Sequence, residues 1–401
     1  MALDRSEDVA VAPVAMDKPE PQITTATIDW ESLHLYQPEE PDKPKKYRTY
    51  GPDEAVPEEE KVYQLRRRRA KKAGHFRINK QILQSETLEE LLDVIAEALN
   101  WFNIVNIGTA LYKLASLALA DQSQAAKSKA FLRKDNRYIG FLDEIANVLS
   151  YVDEPAGIES GNGSGKLVRD VKSACFSPKE LANIVWAVTH IGLPHRRLYE
   201  LVARHIIWYI DHFDSVNLSL ALWGFAKMDV CCPELFRAAA SVIIDMIDAF
   251  EPHRLCNTAW AFSKTLNAQD NQELFRAIAS SSIQKIDKFN LSNESMLVYS
   301  FALAHYKEPL ELFRMIMKRQ IRSIKRGEVN DPRSFANMAW GVAELGFGPD
   351  YPDLYVSIAD YLARRPKILN EFGINQLATL CLALMMVESN APQVERKIAQ
   401  G

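Results

Sequence analysis

The sequence predicts an all-α protein, an α-solenoid of two-helix repeats of about 37–41 residues, and three observations support this fold class. A short phrase, whose central residue is usually aromatic, recurs through the second half of the chain. The copies follow one another at nearly constant spacing, and a phenylalanine precedes four of them by ten residues. Such a period is typical of one helical hairpin per repeat, and these hairpins bury their apolar faces only by stacking on neighbours.

The recurring phrase is clearest in residues 182–188, which read Ala-Asn-Ile-Val-Trp-Ala-Val. We call its central residue the anchor. Successive anchors are 37, 37, 39, 41 and 41 residues apart, and they are Trp186, Trp223, Trp260, Tyr299, Trp340 and Cys381. The phenylalanines that precede the first four anchors are Phe176, Phe213, Phe250 and Phe289. The anchor rings are predicted to be structural wedges in an apolar core, and stacking on RNA bases is the alternative.

Charge is unevenly distributed along the 401 residues, although the net charge is only −4. Residues 1–60 contain 15 acidic and 6 basic side chains and few apolar ones, so this region is predicted to be disordered. Residues 61–78 are predicted to form a basic linker or arm, whose arginine run is Arg66, Arg67, Arg68 and Arg69. A nuclear import signal, an arm that binds phosphate and a solvated linker are three open interpretations of this run.

Helical periodicity starts near residue 79, and residues 79–156 are predicted to form an N-terminal helical repeat or cap. Thr87 and Glu90 have the spacing of a capping box at a helix start. A second helix over 105–115 resembles a divergent copy of the recurring phrase, and a third is predicted over about 138–152. Four glycines then interrupt the pattern, so residues 157–170 are predicted to be a Gly-rich loop.

Residues 171–401 are predicted to be the solenoid repeats, each with a helix A that carries the phrase and a helix B that follows it. Helix A often starts with a capping residue and a proline, as at Ser177-Pro178. Proline suits this position because its missing N–H would have no partner there. The predicted B helices cover about 197–210, 234–249, 273–286, 310–324 and 353–364. A sixth helix B would begin near the C-terminal end of the sequence.

The sequence shows no enzyme motif, so we expect no catalysis, no cofactor and no metal. It lacks HExxH, GxSxG and a CxxC pair, and its histidines are scattered. The five cysteines are an odd number, and two lie inside the recurring phrase, which predicts reduced thiols rather than a disulfide framework. Uninterrupted apolar runs fall short of the about 18 residues that a membrane helix needs, so no membrane contact is expected.

One face of helix A carries a second pattern, at the positions three before, one after and four after the anchor. The middle position is small in five successive repeats, whereas the flanking positions are polar in several of them. Two interpretations are open: a small floor with a variable polar edge for a threaded ligand, or close approach of neighbouring A helices. The first interpretation assigns RNA contacts to Asn183, His190, Lys227, Asn257, Lys264, Asn337 and Glu344.

The B helices supply positive charge. In the fourth of them, cations recur at i, i+4, i+8 and i+11 on one helical face, and these are Arg314, Lys318, Arg322 and Lys325. Arg319 and Arg326 lie beside them, and no acidic residue interrupts the run. Such a stripe pairs with phosphates, and this binding weakens steeply with salt. A solvated helix face is the alternative interpretation.

The phrase, in which an asparagine precedes the anchor tryptophan by three residues and a small residue follows it, resembles a known group of repeats. It is similar to the helical repeats of organellar RNA-binding proteins. These are the octotricopeptide-like and RAP-domain proteins of protists, the leucine-rich region of FAST-kinase-like mitochondrial proteins, and the RNA-editing substrate-binding complex subunit. The segment Ile82–Leu117, which includes residues 102–111, also looks like the N-terminal repeat of that group. The resemblance covers about residues 78–400 and implies a mitochondrial or plastid protein that binds single-stranded RNA and aids its processing, stability or translation.

We therefore expect a non-catalytic RNA-binding α-solenoid in organellar RNA processing. Its expected partners are single-stranded RNA and other proteins of a ribonucleoprotein complex. A protein-interaction scaffold of the armadillo or HEAT type is the alternative function. The resemblance implies the mitochondrial matrix or a plastid. The first residues are acidic and lack the features of a transit peptide, so a nuclear or cytoplasmic location stays open.

Overall fold

The computed structural model describes residues 73–121, 123–152, 176–265, 271–328 and 331–389. Within these ranges the chain is helical and contains no strand, which confirms the all-α, solenoid-like fold class. The chain divides into two compact units, of which the first ends at Phe213 and the second begins at Asp214. The predictions for residues 1–60, for the Gly-rich loop at 157–170 and for a sixth helix B concern parts of the chain outside the described residues.

The first unit is built from paired helices. Its helices are α1 (73–84), α2 (Leu88–Ala98), α3 (Ile104–Leu119), α4 (Ala125–Leu132), α5 (Asn136–Val152), α6 (Pro178–Ile191) and α7 (Arg196–Trp208). Helix α3 packs beside α6, and α5 packs beside both α2 and α7. The Asn106 side chain of α3 donates to the His75 carbonyl at 3.0 Å and to Asn79 at 3.2 Å, which joins α3 to α1. Layer A of this unit therefore contains α1, α3 and α6, and layer B contains α2, α5 and α7.

This arrangement changes the interpretation of the N-terminal region. The stretch predicted as one repeat or cap contains five helices, α1 to α5, in which α2 packs beside both α3 and α5. Helix α1 covers residues from 73 onward, six residues before the predicted start of helical structure. The short helix α4, in the connection between α3 and α5, was not predicted. The capping box at Thr87 is confirmed, since its hydroxyl accepts from the Glu90 N–H at 3.2 Å.

The second unit repeats the same layout. Its helices are α8 (Ser215–Lys227), α9 (Pro233–Asp245), α10 (Pro252–Thr265), α11 (Gln272–Gln284), α12 (Leu291–Leu303), α13 (Leu310–Arg326), α14 (Pro332–Glu344), α15 (Pro352–Arg364) and α16 (Ile374–Ser389). The even-numbered helices are the A helices of this unit, and each packs against the next A helix. The odd-numbered B helices form the second layer, and they too pack on their neighbours in order.

Local sequence signals explain where the A helices start. Ser177 and Asp331 are N-caps, each followed by a proline at the first helical position, as the sequence predicts. The three phenylalanines Phe213, Phe250 and Phe289 each follow a short 3₁₀ turn and are buried. Each of these rings fills a core position, and this holds in place the short segment that leads into the next helix A.

Aromatic packing holds the two layers together. Trp223, Trp260 and Trp340 are only 1%, 4% and 8% exposed, which confirms the anchors as structural wedges in these repeats. Phe262 meets Phe236 edge to face with centroids 5.1 Å apart, and Phe301 meets Phe275 in the same way at 5.4 Å. Each of these pairs joins the phrase of a helix A to a Leu-Phe pair near the start of a helix B. Such edge-to-face pairs contribute about 0.5–1.5 kcal/mol beyond the area they bury.

Candidate nucleic-acid interface

Helix α13 has the predicted cationic face. Its apolar side chains, among them Phe313 and Ile316, are buried in the core of the second unit, to which the helix belongs. Lys318 and Arg322 lie one helical turn apart on the opposite side and are exposed. Within the described part of the chain, neither of them forms an ion pair with a carboxylate, in contrast to other cations of the helix. Both side chains can therefore reach an anionic ligand without first leaving a partner.

The surface beside these two residues is a shallow, open depression of about 490 Å³. Its lining is Lys318, Ile321, Arg322, Lys325 and Arg326, so four of the five side chains are cationic. An open, cationic surface of this kind fits a flexible polyanion such as a nucleic-acid backbone, because it imposes little shape on the ligand. It does not fit a small apolar ligand, which needs an enclosed cavity.

The fold brings acidic residues to the other cations of this face. Glu311 pairs with Arg314 at 2.7 Å, and Asp353 of α15 pairs with Lys325 at 3.3 Å. Although the sequence shows no acid between residues 314 and 326, the positive charge at Arg314 and Lys325 is partly neutralised by these neighbours. Such exposed pairs contribute about 0–1 kcal/mol and break readily, so these two cations are weaker candidates than Lys318 and Arg322.

Arg319 points inward and does not belong to the exposed face. Its Nε donates to the fully buried Glu294 carboxylate at 2.5 Å, and its Nη2 donates to the Phe289 carbonyl at 3.0 Å. Gln320 donates to the same carboxylate at 2.8 Å. Burial raises the pKa of Glu294, and the hydrogen bond from Gln320 and the charge of Arg319 offset part of that rise. This cluster joins helix A to helix B in the fourth repeat.

The stripe on the A helices is a packing surface at its middle positions. Ala187, Ala261 and Ser300 are all 0% exposed. A Cβ at Gly341 would lie 2.9 Å from Val298 Cγ1 and 3.2 Å from Tyr299 N, so this glycine allows α14 to approach α12 closely. The interpretation as an open floor for a ligand is therefore wrong, and the close approach of neighbouring helices is correct.

The flanking positions of that stripe differ from one another. His190, Asn257 and Asn337 are only 6%, 9% and 5% exposed, which corrects their assignment as RNA contacts, because packed A helices leave them almost no surface. Asn183 is half-buried. Lys227 lies over the Trp223 ring with its Nζ 4.7 Å from the ring centroid.

The remaining predicted positions have acidic or basic neighbours or are not described. Lys264 pairs with Asp229 at 3.4 Å, and Glu344 lies 3.7 Å from His305. The arginine run Arg66, Arg67, Arg68 and Arg69 lies outside the described residues. The structure thus brings Lys318, Arg322 and Lys325 together. Of the seven polar positions on the A helices it buries three, leaves three half-buried and exposes Lys264.

An aromatic group in the first unit was missed by sequence reasoning. Tyr112 of α3 stacks on Trp186 of α6 with ring centroids 5.4 Å apart, and Tyr112 remains 45% exposed. Trp101, just before α3, is 63% exposed. The sequence analysis recognised α3 as a divergent copy of the phrase but did not consider its outer face. Val105 and Tyr112 are two helical turns apart on one face of α3, and both are exposed, so this spacing was the available signal.

No cluster of three or more histidine, cysteine or acidic side chains suited to a metal ion occurs among the described residues. None of the helices in the described ranges is both long enough and apolar enough to span a membrane.

Part of the chain is similar to a known protein family. Residues 169–347 match the model of the RNA-editing substrate-binding complex 6 protein family. The matched segment includes α6 through α14, and therefore the whole of α13 with its cationic face. No curated protein matches the chain. Among the groups that the sequence resembles, the comparison thus supports the RNA-editing complex subunit, and it indicates a helical protein with a role in RNA processing.

Proposed function

We propose that the protein is a non-catalytic RNA-binding subunit of an RNA-processing complex, and that α13 holds the phosphate backbone of single-stranded RNA. The observation that carries this proposal is the exposed pair Lys318 and Arg322, which lie beside an open cationic depression and have no carboxylate partner in the described part of the chain. The match to the RNA-editing substrate-binding complex 6 family supports the choice of RNA over other polyanions.

The chemistry of this surface suits sequence-independent binding. Lysine binds phosphate as a compact point charge, and arginine can form two parallel hydrogen bonds to phosphate oxygens. Side chains four residues apart on a helix are about 5–6 Å apart at their Cβ atoms, so Lys318 and Arg322 can hold neighbouring phosphates of one strand. Phosphate contacts fix the position of the strand but do not identify its bases.

The experiment is a binding titration with the full chain and a labelled single-stranded RNA of mixed sequence. The double charge reversal Lys318→Glu with Arg322→Glu removes two phosphate contacts. Each phosphate contact on a single strand adds about 0.7 to the slope with which the logarithm of the association constant falls against the logarithm of the salt concentration. Two lost contacts therefore remove about 1.4 from this slope, which at 0.1 M salt lowers the affinity about 25-fold relative to the unchanged protein.

The matched control is Arg237→Glu with Arg276→Glu, which makes the same change in net charge. These two arginines are exposed on α9 and α11 and already lie near Glu234 and Glu308. The control should weaken RNA binding less than about threefold, because exposed paired charges contribute little. Equal losses for both double variants would show that only the total charge matters, and the assignment to α13 would be wrong.

A protein-interaction scaffold is the second candidate function, and one observation favours it. On α16, apolar side chains are exposed at Ile374 (86%) and Met385 (65%), and Leu382 and Leu384 are 46% and 40% exposed. Such a group of exposed apolar side chains is typical of protein interfaces. Absence of RNA binding by the full chain at low salt, together with capture of another protein of a ribonucleoprotein complex, would favour this scaffold.

We also propose an organellar location, mitochondrial or plastid, on the basis of the resemblance to organellar repeat proteins. Fluorescence microscopy of the full-length protein with a C-terminal fluorescent tag tests it, because that position leaves the N-terminus unblocked. Overlap with an organelle marker is the expected result. A nuclear or diffuse cytoplasmic signal would contradict the proposal.

A further inference from the structure

Three aromatic rings lie side by side on layer A of the first unit. The Tyr112 and Trp186 rings stack with centroids 5.4 Å apart and planes 22° apart. The Trp186 and His190 rings are 4.4 Å apart, and the Trp186 carbonyl accepts a hydrogen bond from His190 Nδ1 at 2.9 Å. Trp186 covers one face of the Tyr112 ring, yet Tyr112 is 45% exposed. Part of the Tyr112 side chain, at the end of the stack, is therefore open to a ligand.

The helices that carry these rings are almost free of acidic residues. Helices α1 (73–84) and α3 contain no aspartate or glutamate. Helix α6 contains Glu180, whose carboxylate accepts from the Ser177 N–H at 2.7 Å as part of its capping box. That carboxylate is thus engaged in the cap at the helix start.

Basic residues accompany the rings. Lys113 follows Tyr112 directly, and Lys179 precedes Trp186 by two helical turns on the same face of α6. Neither lysine forms an ion pair within the described ranges, and Lys179 is exposed. In layer B of this unit, by contrast, α2 contains four carboxylates and no lysine or arginine. Layer A is the side of the first unit that favours an anion.

We propose that the exposed Tyr112 ring is a stacking site for an unpaired base of single-stranded RNA, and that Trp186 and the buried His190 behind it hold this ring in place without contacting the RNA. Lys113 and Lys179 would pair with the flanking phosphates. A ligand that is planar and aromatic in one part and anionic in the next matches both the open ring and its basic surroundings. This inference rests on the proposed function and deepens it, because it names a base-contacting surface in the first unit in addition to the phosphate-contacting surface of α13.

The test uses the full chain and two labelled probes, a single-stranded RNA of mixed sequence and an abasic strand with the same number of phosphates. Tyr112→Ala should weaken binding of the RNA about tenfold, since stacking on one aromatic side chain is worth that much per base. Tyr112→Phe keeps the ring and should leave the affinity within about twofold of the unchanged protein. The matched control is Trp208→Ala, which removes a 51% exposed ring from layer B and should have no effect.

Three readouts separate stacking from a general loss of charge or of folding. Because Tyr112 is uncharged, Tyr112→Ala should leave the salt dependence of RNA binding unchanged while lowering the affinity. The abasic strand should bind the unchanged protein and the Tyr112→Ala variant equally. The circular dichroism spectrum of Tyr112→Ala should match that of the unchanged protein, and its thermal unfolding should stay cooperative, with only a small drop in the midpoint from the lost Tyr112–Trp186 contact.

The outcomes distinguish this inference from the proposal on which it rests. RNA binding that Tyr112→Ala does not weaken would overturn the stacking site and leave the RNA-binding function intact. An equal loss of abasic-strand binding in Tyr112→Ala would also overturn it. Failure of the unchanged protein to bind RNA at any salt concentration would overturn the RNA-binding function and the stacking site together.

Discussion

Gly341 shows how one residue sets the distance between two helices. A methyl group added there would lie 2.9 Å from Val298 Cγ1 and 3.2 Å from the Tyr299 backbone nitrogen, and the backbone cannot move aside cheaply. Gly341→Ala should therefore lower the free energy of unfolding by about 1–3 kcal/mol, the usual cost of overpacking. Chemical denaturation followed by circular dichroism measures this change.

The matched control is Gly140→Ala, in the interior of α5. Nothing lies within 4 Å of a Cβ added at this position. Alanine should stabilise α5 by about 0.5–1 kcal/mol, because glycine loses more backbone freedom on folding. If both substitutions shifted stability in the same direction, the close approach of α12 and α14 at Gly341 would not be a constraint on packing.

Glu294 predicts a pH dependence of stability. Burial raises its pKa above the ordinary value of 4.5, so the folded state holds the proton more tightly than the unfolded chain does. The stability that this proton contributes is present at low pH and is lost as the pH rises through the folded-state pKa. The difference in unfolding free energy between the unchanged protein and Glu294→Gln should therefore decrease as the pH rises above 4.5. Urea titrations at several pH values measure this difference, and an increase with pH would contradict the assignment.

At the residue scale, the sequence predicted residue types better than their surroundings. The small residue after five of the six anchors was recognised, and one of its two interpretations proved correct. Asn257 and Asn337 were assigned to a ligand because periodicity shows which residues share a helix face but not which neighbour covers that face. For the same reason the sequence did not predict that Arg319 points inward. Its partner Glu294 lies on another helix, and only the packing of the two helices brings these side chains together.

Lys285, at the end of α11, links two successive repeats. Its Nζ donates to the Asp248 carbonyl at 3.0 Å, to the Phe250 carbonyl at 2.9 Å and to Ser281 Oγ at 3.0 Å. All three ammonium hydrogens are therefore used, and the carbonyl groups belong to the turn that precedes α10. Lys285→Met keeps much of the apolar stem but leaves these acceptors without their donor, which should cost about 1–3 kcal/mol of stability.

The control for this prediction is Lys288→Met, three residues further along, where the lysine is exposed. A surface substitution of this kind usually changes stability by less than about 0.5 kcal/mol. Thermal unfolding of both variants, under identical conditions, makes the comparison. Equal midpoints for the two variants would show that the Lys285 contacts add nothing to the junction between the repeats.

At the scale of helices, most elements could be predicted from the sequence. Proline and capping residues mark the starts of α6, α10 and α14, and the predicted B helices agree with the observed ones to within a few residues. Helix α1 was predicted to start later because the basic block before it hides its short apolar pattern. Helix α4 was missed because its eight residues have no clear apolar face.

At the scale of the whole molecule, the repeat layout was predictable and the division into two units was not. The phrase continues past Phe213 without a change of spacing, so the sequence gives no sign of the boundary that the packing shows. Pairing of charges between helices, such as Lys325 with Asp353, also depends on how the helices stack. The cationic face of α13 could be predicted because all of its members lie on one helix.

The measurement that tests the account most directly is the affinity of the full chain for single-stranded RNA as a function of salt concentration. Two phosphate contacts at Lys318 and Arg322 predict that the logarithm of the association constant falls linearly with the logarithm of salt, and that Lys318→Glu with Arg322→Glu reduces the slope by about 1.4. A slope that this double variant does not change, or no binding even at low salt, would contradict the claim that α13 holds RNA.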